Sequence, residues 1–333
     1  MSRTNEFQAG YVGGAFIYTG GAASNSTFHE AILTDTMQFR RWQLSFSDRF
    51  SYLPQASFGF GGVGAFGGLG ALGGVGAFGG LGGGLQGGLG GGGGLINPMY
   101  TPNQSILTNQ FGSYNNTTIG EAAYRMTART SVTVGGSYGT LQSGSKSAGF
   151  LSGNNAMGFA GIQHELTARD SLGVTYNYGT FHYVGQAESF QTQMLSLAYG
   201  RKITGTLALQ LYGGPELLNY RTGPSGSFTR LGASGTGALT YLRDRNTLGL
   251  FVSHYSTGGS GVFAGADTTT VSGSWSRQLT RRWTGTVYGG YARNSQIVAS
   301  GTPSAGRYSS WFANASASRN IGHYVSFHLD YEY

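Results

Sequence analysis

"LTARDSLGVTYNYGTF" occupies residues 166–181. Its start is a polar turn around Thr167, Arg169 and Asp170. The turn gives way to a strict alternation: Leu172, Val174, Tyr176 and Tyr178 are interleaved with Gly173, Thr175 and Asn177. Period-2 alternation of this kind is the signature of a strand with one apolar and one polar face. A polar turn leading straight into such a strand has the spacing of a β-hairpin.

The same phrase recurs along the chain. "MTARTSVTV" (126–134), "LTRRWTGTV" (279–287) and "LRDRNTLGL" (242–250) repeat it closely. "FRRWQLSF" (39–46), "GRKITGTLAL" (200–209) and "SRNIGHYVSF" (318–327) play the same part. Between these short turns lie longer connections rich in Gly, Ser and Asn, at 19–26, 54–115, 142–153, 184–190, 216–231, 256–267 and 294–307. The strands between them are expected at 6–18, 27–39, 42–53, 116–127, 131–141, 155–166, 170–182, 191–201, 203–214, 232–242, 247–256, 268–279, 282–293, 308–318 and 323–333. Most are ten to thirteen residues long. Globular strands usually have ~5–6 residues, whereas a tilted strand crossing a bilayer has ~9–11.

Composition agrees. Charged residues make up 10% of the chain, against a usual ~25%. Gly accounts for 61 of 333 residues, Tyr for 21 and Phe for 20. Cys is absent, which removes disulfides, thiolate metal sites and Cys nucleophiles. No run of ~20 apolar residues could cross a membrane as a helix. No cationic start with an apolar core marks a signal peptide at the N-terminus.

The run 58–95 is almost wholly Gly with Leu, Val, Ala and Phe, and "GGVGAFGGLG" appears in it twice, at 61–70 and 73–82. Each copy contains a GxGxxG. That fingerprint binds a dinucleotide when a strand precedes it and a helix N-terminus comes after it. Here only more Gly comes after it, at ~1 kcal/mol per residue against a helix. The run reads as a low-complexity loop.

These features resemble the bacterial outer-membrane β-barrel proteins, porin-like in character, with no specific family singled out. The resemblance lies in short turns on one side, long loops on the other, dyad alternation and aromatic strand ends. It implies an all-β, transmembrane, antiparallel up-and-down barrel over residues 1–333, with 54–115 as a long Gly-rich extracellular loop. It also implies integral residence in the outer membrane, contact with its lipid, and a barrel-assembly machinery as partner during insertion. Such barrels have an even strand number. The fifteen strands counted here therefore lead to an expected sixteenth in a longer chain, or else to an odd barrel closed by parallel pairing of 6–18 with 323–333.

Physical reasoning points the same way. A sheet of long strands with one apolar face must hide that face, and in lipid an open edge is prohibitive, so the sheet closes. Thirteen of the 20 basic residues lie at or beside the short turns: Arg40, Arg41, Arg125, Arg129, Arg169, Arg201, Lys202, Arg243, Arg245, Arg277, Arg281, Arg282 and Arg319. Lys or Arg costs ~2–4 kcal/mol at the midplane of a lipid face but ~0–1 near an interface. A formal charge of +7 could also mark a nucleic-acid binder, but the periodic spacing of these residues speaks against a single basic patch. Asp35 shares the apolar parity of Leu33, Met37 and Phe39, which reads as a bulge or a misplaced boundary.

Parity fixes the expected directions. Leu172, Val174, Tyr176, Leu207, Leu209, Val287, Phe327 and Leu329 should point outward. Thr175, Gln210, Thr286 and His328 should point inward. The expected pore lining is Glu121, Arg125, Thr175, Asn177, Gln210, Tyr212, His328 and Asp330, with small polar solutes as partners. A surface structural or adhesive barrel acting through its Gly-rich loop is the alternative, and a barrel enzyme acting on lipid or peptide stands third. His328 and Asp330 could relay a proton, and "HYSTGGSG" (254–261) looks like a serine motif without its elbow. No catalytic set, metal site or cofactor site is expected.

Overall fold

The computed structural model describes residues 4–16, 26–53, 113–143, 152–185, 188–222, 226–257, 265–297, 306–321 and 325–332. The Gly-rich run at 58–95 and most of the expected loop 54–115 lie outside these residues. The strands are β1 (Thr4–Phe16), β2 (Ser26–Phe39), β3 (Trp42–Leu53), β4 (Ser113–Arg125), β5 (Thr130–Ser143), β6 (Gly153–Glu165), β7 (Asp170–Tyr183) and β8 (Glu188–Lys202). They continue with β9 (Leu207–Thr222), β10 (Ser227–Arg243), β11 (Asn246–Thr257), β12 (Ala266–Gln278), β13 (Trp283–Gln296), β14 (Arg307–Ile321) and β15 (Val325–Glu332).

All fifteen form one sheet in chain order, and every neighbouring pair is antiparallel. This is the all-β, antiparallel up-and-down strand order expected from the hairpin rhythm. β1 and β15 are the two ends of the order, and among the described residues no ladder joins them.

The two faces differ as parity requires. On β7, Leu172, Val174, Tyr176 and Tyr178 are exposed, while Ser171 before them and Thr175 and Asn177 between them are buried. Val287, Phe327 and Leu329 are exposed too. Leu207 and Leu209 share the parity of the exposed Leu211. Gln210 shares the inward parity of Glu216 and Leu218, and Thr286 that of Ala292 and Asn294. The side chain of His328 lies outside the described residues; its backbone sits opposite Ser318.

The polar face is the concave one, because contacts on it skip strands. Asn177 on β7 donates to the Tyr212 hydroxyl on β9 at 2.6 Å. Phe190 on β8 shares an apolar cluster with Ile297, the residue after β13.

Four of the short turns are built by threonine. The hydroxyl oxygens of Thr127, Thr167, Thr204 and Thr280 accept from backbone N–H groups two or three residues on, at 2.9–3.3 Å. A Ser/Thr turn of this type replaces a backbone partner with a side chain. Thr167 also donates to Asp170 at 2.9 Å. Thr204→Ala removes two of these bonds and is expected to cost about 1 kcal/mol, read from the urea midpoint of the folded protein. In the two-residue turn between β10 and β11, Asp244 takes φ 52°, a left-handed conformation that Asp tolerates.

Two expectations need correction. Residues 216–231 are not a loop: β9 runs on to Thr222 and β10 starts at Ser227. The run Gly213-Gly214-Pro215 reads as a breaker but serves close approach. A Cβ on Gly214 would press onto the Leu195 carbonyl oxygen, with the carbonyl carbon at 3.0 Å. The β8–β9 ladder passes from Met194–Glu216 to Leu197–Gly213, so Pro215, which has no N–H, falls among the skipped rungs. Asp35, in turn, marks neither a bulge nor a boundary. The β1–β2 and β2–β3 registers run through it without interruption, opposite Phe7 and Phe46. Asp48 shares the same outer face, and Thr118 at 2.5 Å and Asn116 at 3.2 Å donate to its carboxylate.

Aromatic pairs bracket the outer face. Trp42 meets Tyr124 at 4.7 Å near the short turns, and Tyr52 meets Tyr114 at 4.7 Å near the long loops. On β3 these two belts are ten residues apart, the length of a tilted bilayer crossing of ~9–11.

Candidate functional site: the polar interior

The expected lining residues do not form one site. Glu121, Arg125, Thr175, Asn177, Gln210 and Tyr212 fall on the inward parity of separate strands. Glu121 on β4 shares its parity with the buried Thr117 and Ala123. Arg125 ends β4 at the short-turn rim, is exposed, and donates its backbone N–H to the Arg41 carbonyl at 2.8 Å. Asn177 and Tyr212 come together across β8, with Thr175 and Gln210 each two residues from them toward the short turns. His328 and Asp330 lie opposite Ser318 and Ser316 on β14, far from that group in the strand order, and their side chains are outside the described residues.

Alternation puts small hydroxyl and amide side chains on the inner face of β8 and of β11–β13. Thr192, Ser196, Ser253, Thr268, Thr270 and Asn294 are all at most 1% exposed. Thr257 and Thr268 lie 3.2 Å apart on adjoining strands, and Thr268 donates to Asn294 at 2.9 Å. Toward the long loops this polar face is capped by apolar side chains. Phe181, Tyr183, Phe190, Leu218, Tyr220 and Ile297 pack into one cluster, with Phe181 stacked on Phe190 at 4.3 Å.

Beside the cap lies a charged group that sequence reading missed. Arg230 on β10 makes a two-pronged ion pair with Asp267 on β12, both bonds at 2.6 Å. The Ser256 hydroxyl, with one proton to share, lies 3.1 Å from the Asp267 carboxylate and 3.2 Å from that of Glu216 on β9, and Ser234 also donates to Glu216. Glu216, Ser234 and Ser256 are buried. The misplaced loop at 216–231 hid Glu216 and Arg230, and the bounds expected for the loop at 256–267 took in Ser256 and Asp267 at the strand ends. The available signal was the alternation of Glu216, Leu218 and Tyr220 beyond Pro215.

The serine-motif reading of 254–261 does not assemble in the described part. His254 bonds Thr269 at 2.8 Å, whereas Ser256 serves the two carboxylates. Among the described residues no group of three or more His, Asp or Glu could hold a metal ion.

No family model matches the sequence, and no curated protein matches it. Solved structures of similar shape include the FrpB iron transporter from Neisseria meningitidis, with TM-score 0.45, 8% identity, 89% of this chain and 50% of that one. They also include the ferripyoverdine receptor of the outer membrane of Pseudomonas aeruginosa, with TM-score 0.41, 8% identity, 99% of this chain and 55% of that one. A third is the CymD monoaromatic hydrocarbon channel, with TM-score 0.37, 12% identity, 88% of this chain and 83% of that one. The chain spans about half the length of the iron transporter and the siderophore receptor. These are loose likenesses, and the fold stands on the strand ladders above.

Proposed function

We propose that this chain is an integral barrel of the bacterial outer membrane that passes small polar solutes, without a catalytic step. Its partners on this reading are the outer-membrane lipid, the solutes, and the assembly machinery that inserts it. The supporting observation is the division of the sheet: an exposed apolar, aromatic face outside and a face of Thr, Ser, Asn and Gln inside. Hydroxyl and amide groups can exchange hydrogen bonds with water and with polar solutes, which an apolar wall cannot.

One observation favours a second reading, a surface structural barrel. The inner hydroxyls of β8 and of β11–β13 are packed shut rather than open. Conductance across a planar bilayer separates the two. The purified full chain should give discrete, steady aqueous conductance, and the protein lacking 61–94 should keep it, since loop length enters stability only logarithmically. Absence of conductance above bare lipid from inserted protein would reject the channel.

A further inference from the structure

We propose that the long-loop end of the wall between β10 and β11 is a seam between two panels, held shut by a clasp of Arg230, Asp267, Ser256 and Glu216. The ladder between these strands runs from Arg243–Asn246 up to Gly235–His254 and is described no further. Yet both strands continue. β10 extends on through 227–234, paired there with β9. β11 extends through 255–257, paired with β12. Three rungs that the register would place at Ser234–Tyr255, Ala233–Ser256 and Gly232–Thr257 are therefore missing from the ladder.

Side chains span the seam where backbone does not. Arg230 and Glu216 belong to the β9–β10 panel; Ser256 and Asp267 belong to the β11–β12 panel. The ion pair and the Ser256–Glu216 bond both cross between them. The apolar cap is divided along the same line. Phe181, Tyr183, Phe190, Leu218 and Tyr220 stand on the first side, and Ile297 on the second, with its N–H bonded to the Gly265 carbonyl at 3.2 Å. A Cβ on Gly265 would lie 3.0 Å from the Phe190 ring, so the two sides meet closely.

The clasp is also imperfectly satisfied. Oε1 of Glu216 is buried and meets no donor among the described residues. Parting the panels would bring water to that oxygen and would break no backbone ladder. The closed and parted arrangements are thus separated by side-chain contacts alone, which is the condition for a gate. The seam rests on the wall's geometry and does not depend on what the barrel conducts.

Cysteine labelling tests it cleanly because the chain contains no Cys. Thr192→Cys places a thiol on the inner face beside Leu218 of the cap. Ser137→Cys places one on the inner face of β5, away from the seam. The probe is a small methanethiosulfonate applied to the full chain in lipid vesicles. Adding Arg230→Ala should speed labelling of Thr192→Cys at least tenfold and leave Ser137→Cys unchanged. An unchanged rate at Thr192→Cys, or equal acceleration at both sites, overturns the proposal. If Arg230→Ala does not assemble, the near-isosteric Asp267→Asn is judged by the same two rates.

Discussion

The Gly214→Ala variant is expected not to assemble into a folded barrel. The added methyl would press onto the Leu195 carbonyl oxygen and lie 3.0 Å from the carbonyl carbon and 3.2 Å from the Ser196 Cα. All three atoms are backbone of the neighbouring strand, so no rotamer change can relieve the clash. Overpacking in a relaxed core costs ~1–3 kcal/mol, and a clash with a hydrogen-bonded strand belongs at or beyond the top of that range. Gly120→Ala is the matched control, because a Cβ there meets nothing within 4 Å. Heat-resistant migration in detergent reads both. The control should keep the parent's resistance, and Gly214→Ala should lose it. Equal resistance of the two would mean that β8 and β9 do not approach as described.

Depth on the outer face should govern the second large effect. Leu195 is 53% exposed in the middle of β8, and Leu279, on the outer parity of Val271 and Trp275, is 55% exposed at the short-turn rim. In water, arginine at either site would change stability by no more than ~0.5 kcal/mol. In a bilayer, Leu195→Arg should cost about 2–4 kcal/mol and Leu279→Arg about 0–1. Reversible denaturant unfolding from lipid vesicles measures both. Similar small effects at the two sites would place this face in water and remove the membrane from the account.

The fold was legible because its physics is periodic. Alternation from Leu172 to Tyr178 names the outer face residue by residue, and the recurring Thr-Ala-Arg and Thr-Arg-Arg turns mark one rim. Strand ends were harder to place. Pro215 and its two glycines look like a terminus in one dimension, yet they lie inside β9, where a skipped pair of rungs makes room for them. Asp35 and Asp48 break the apolar pattern without breaking the strands, and hydrogen bonds from Thr118 and Asn116 show how the second is accommodated.

The interior was less legible than the wall. Parity says that Thr175, Asn177 and Tyr212 share a face, but it cannot say that Asn177 reaches across β8 to Tyr212. Nor can it pair Arg230 with Asp267, thirty-seven residues apart. Such contacts depend on how tightly the sheet curls, which no local pattern encodes.

Intrinsic tryptophan fluorescence tests the central claim, that the apolar face meets lipid and the polar face is enclosed. The chain has four Trp, and all lie on the outer parity: Trp42, Trp275 and Trp311 are exposed, and Trp283 shares the face of Val287 with the Arg319 guanidinium 5.4 Å from its ring. Reconstituted into vesicles of lipids brominated along the acyl chain, the wild-type protein should lose most of its emission, while aqueous iodide should quench little. Strong quenching by iodide with none by brominated lipid would contradict the account.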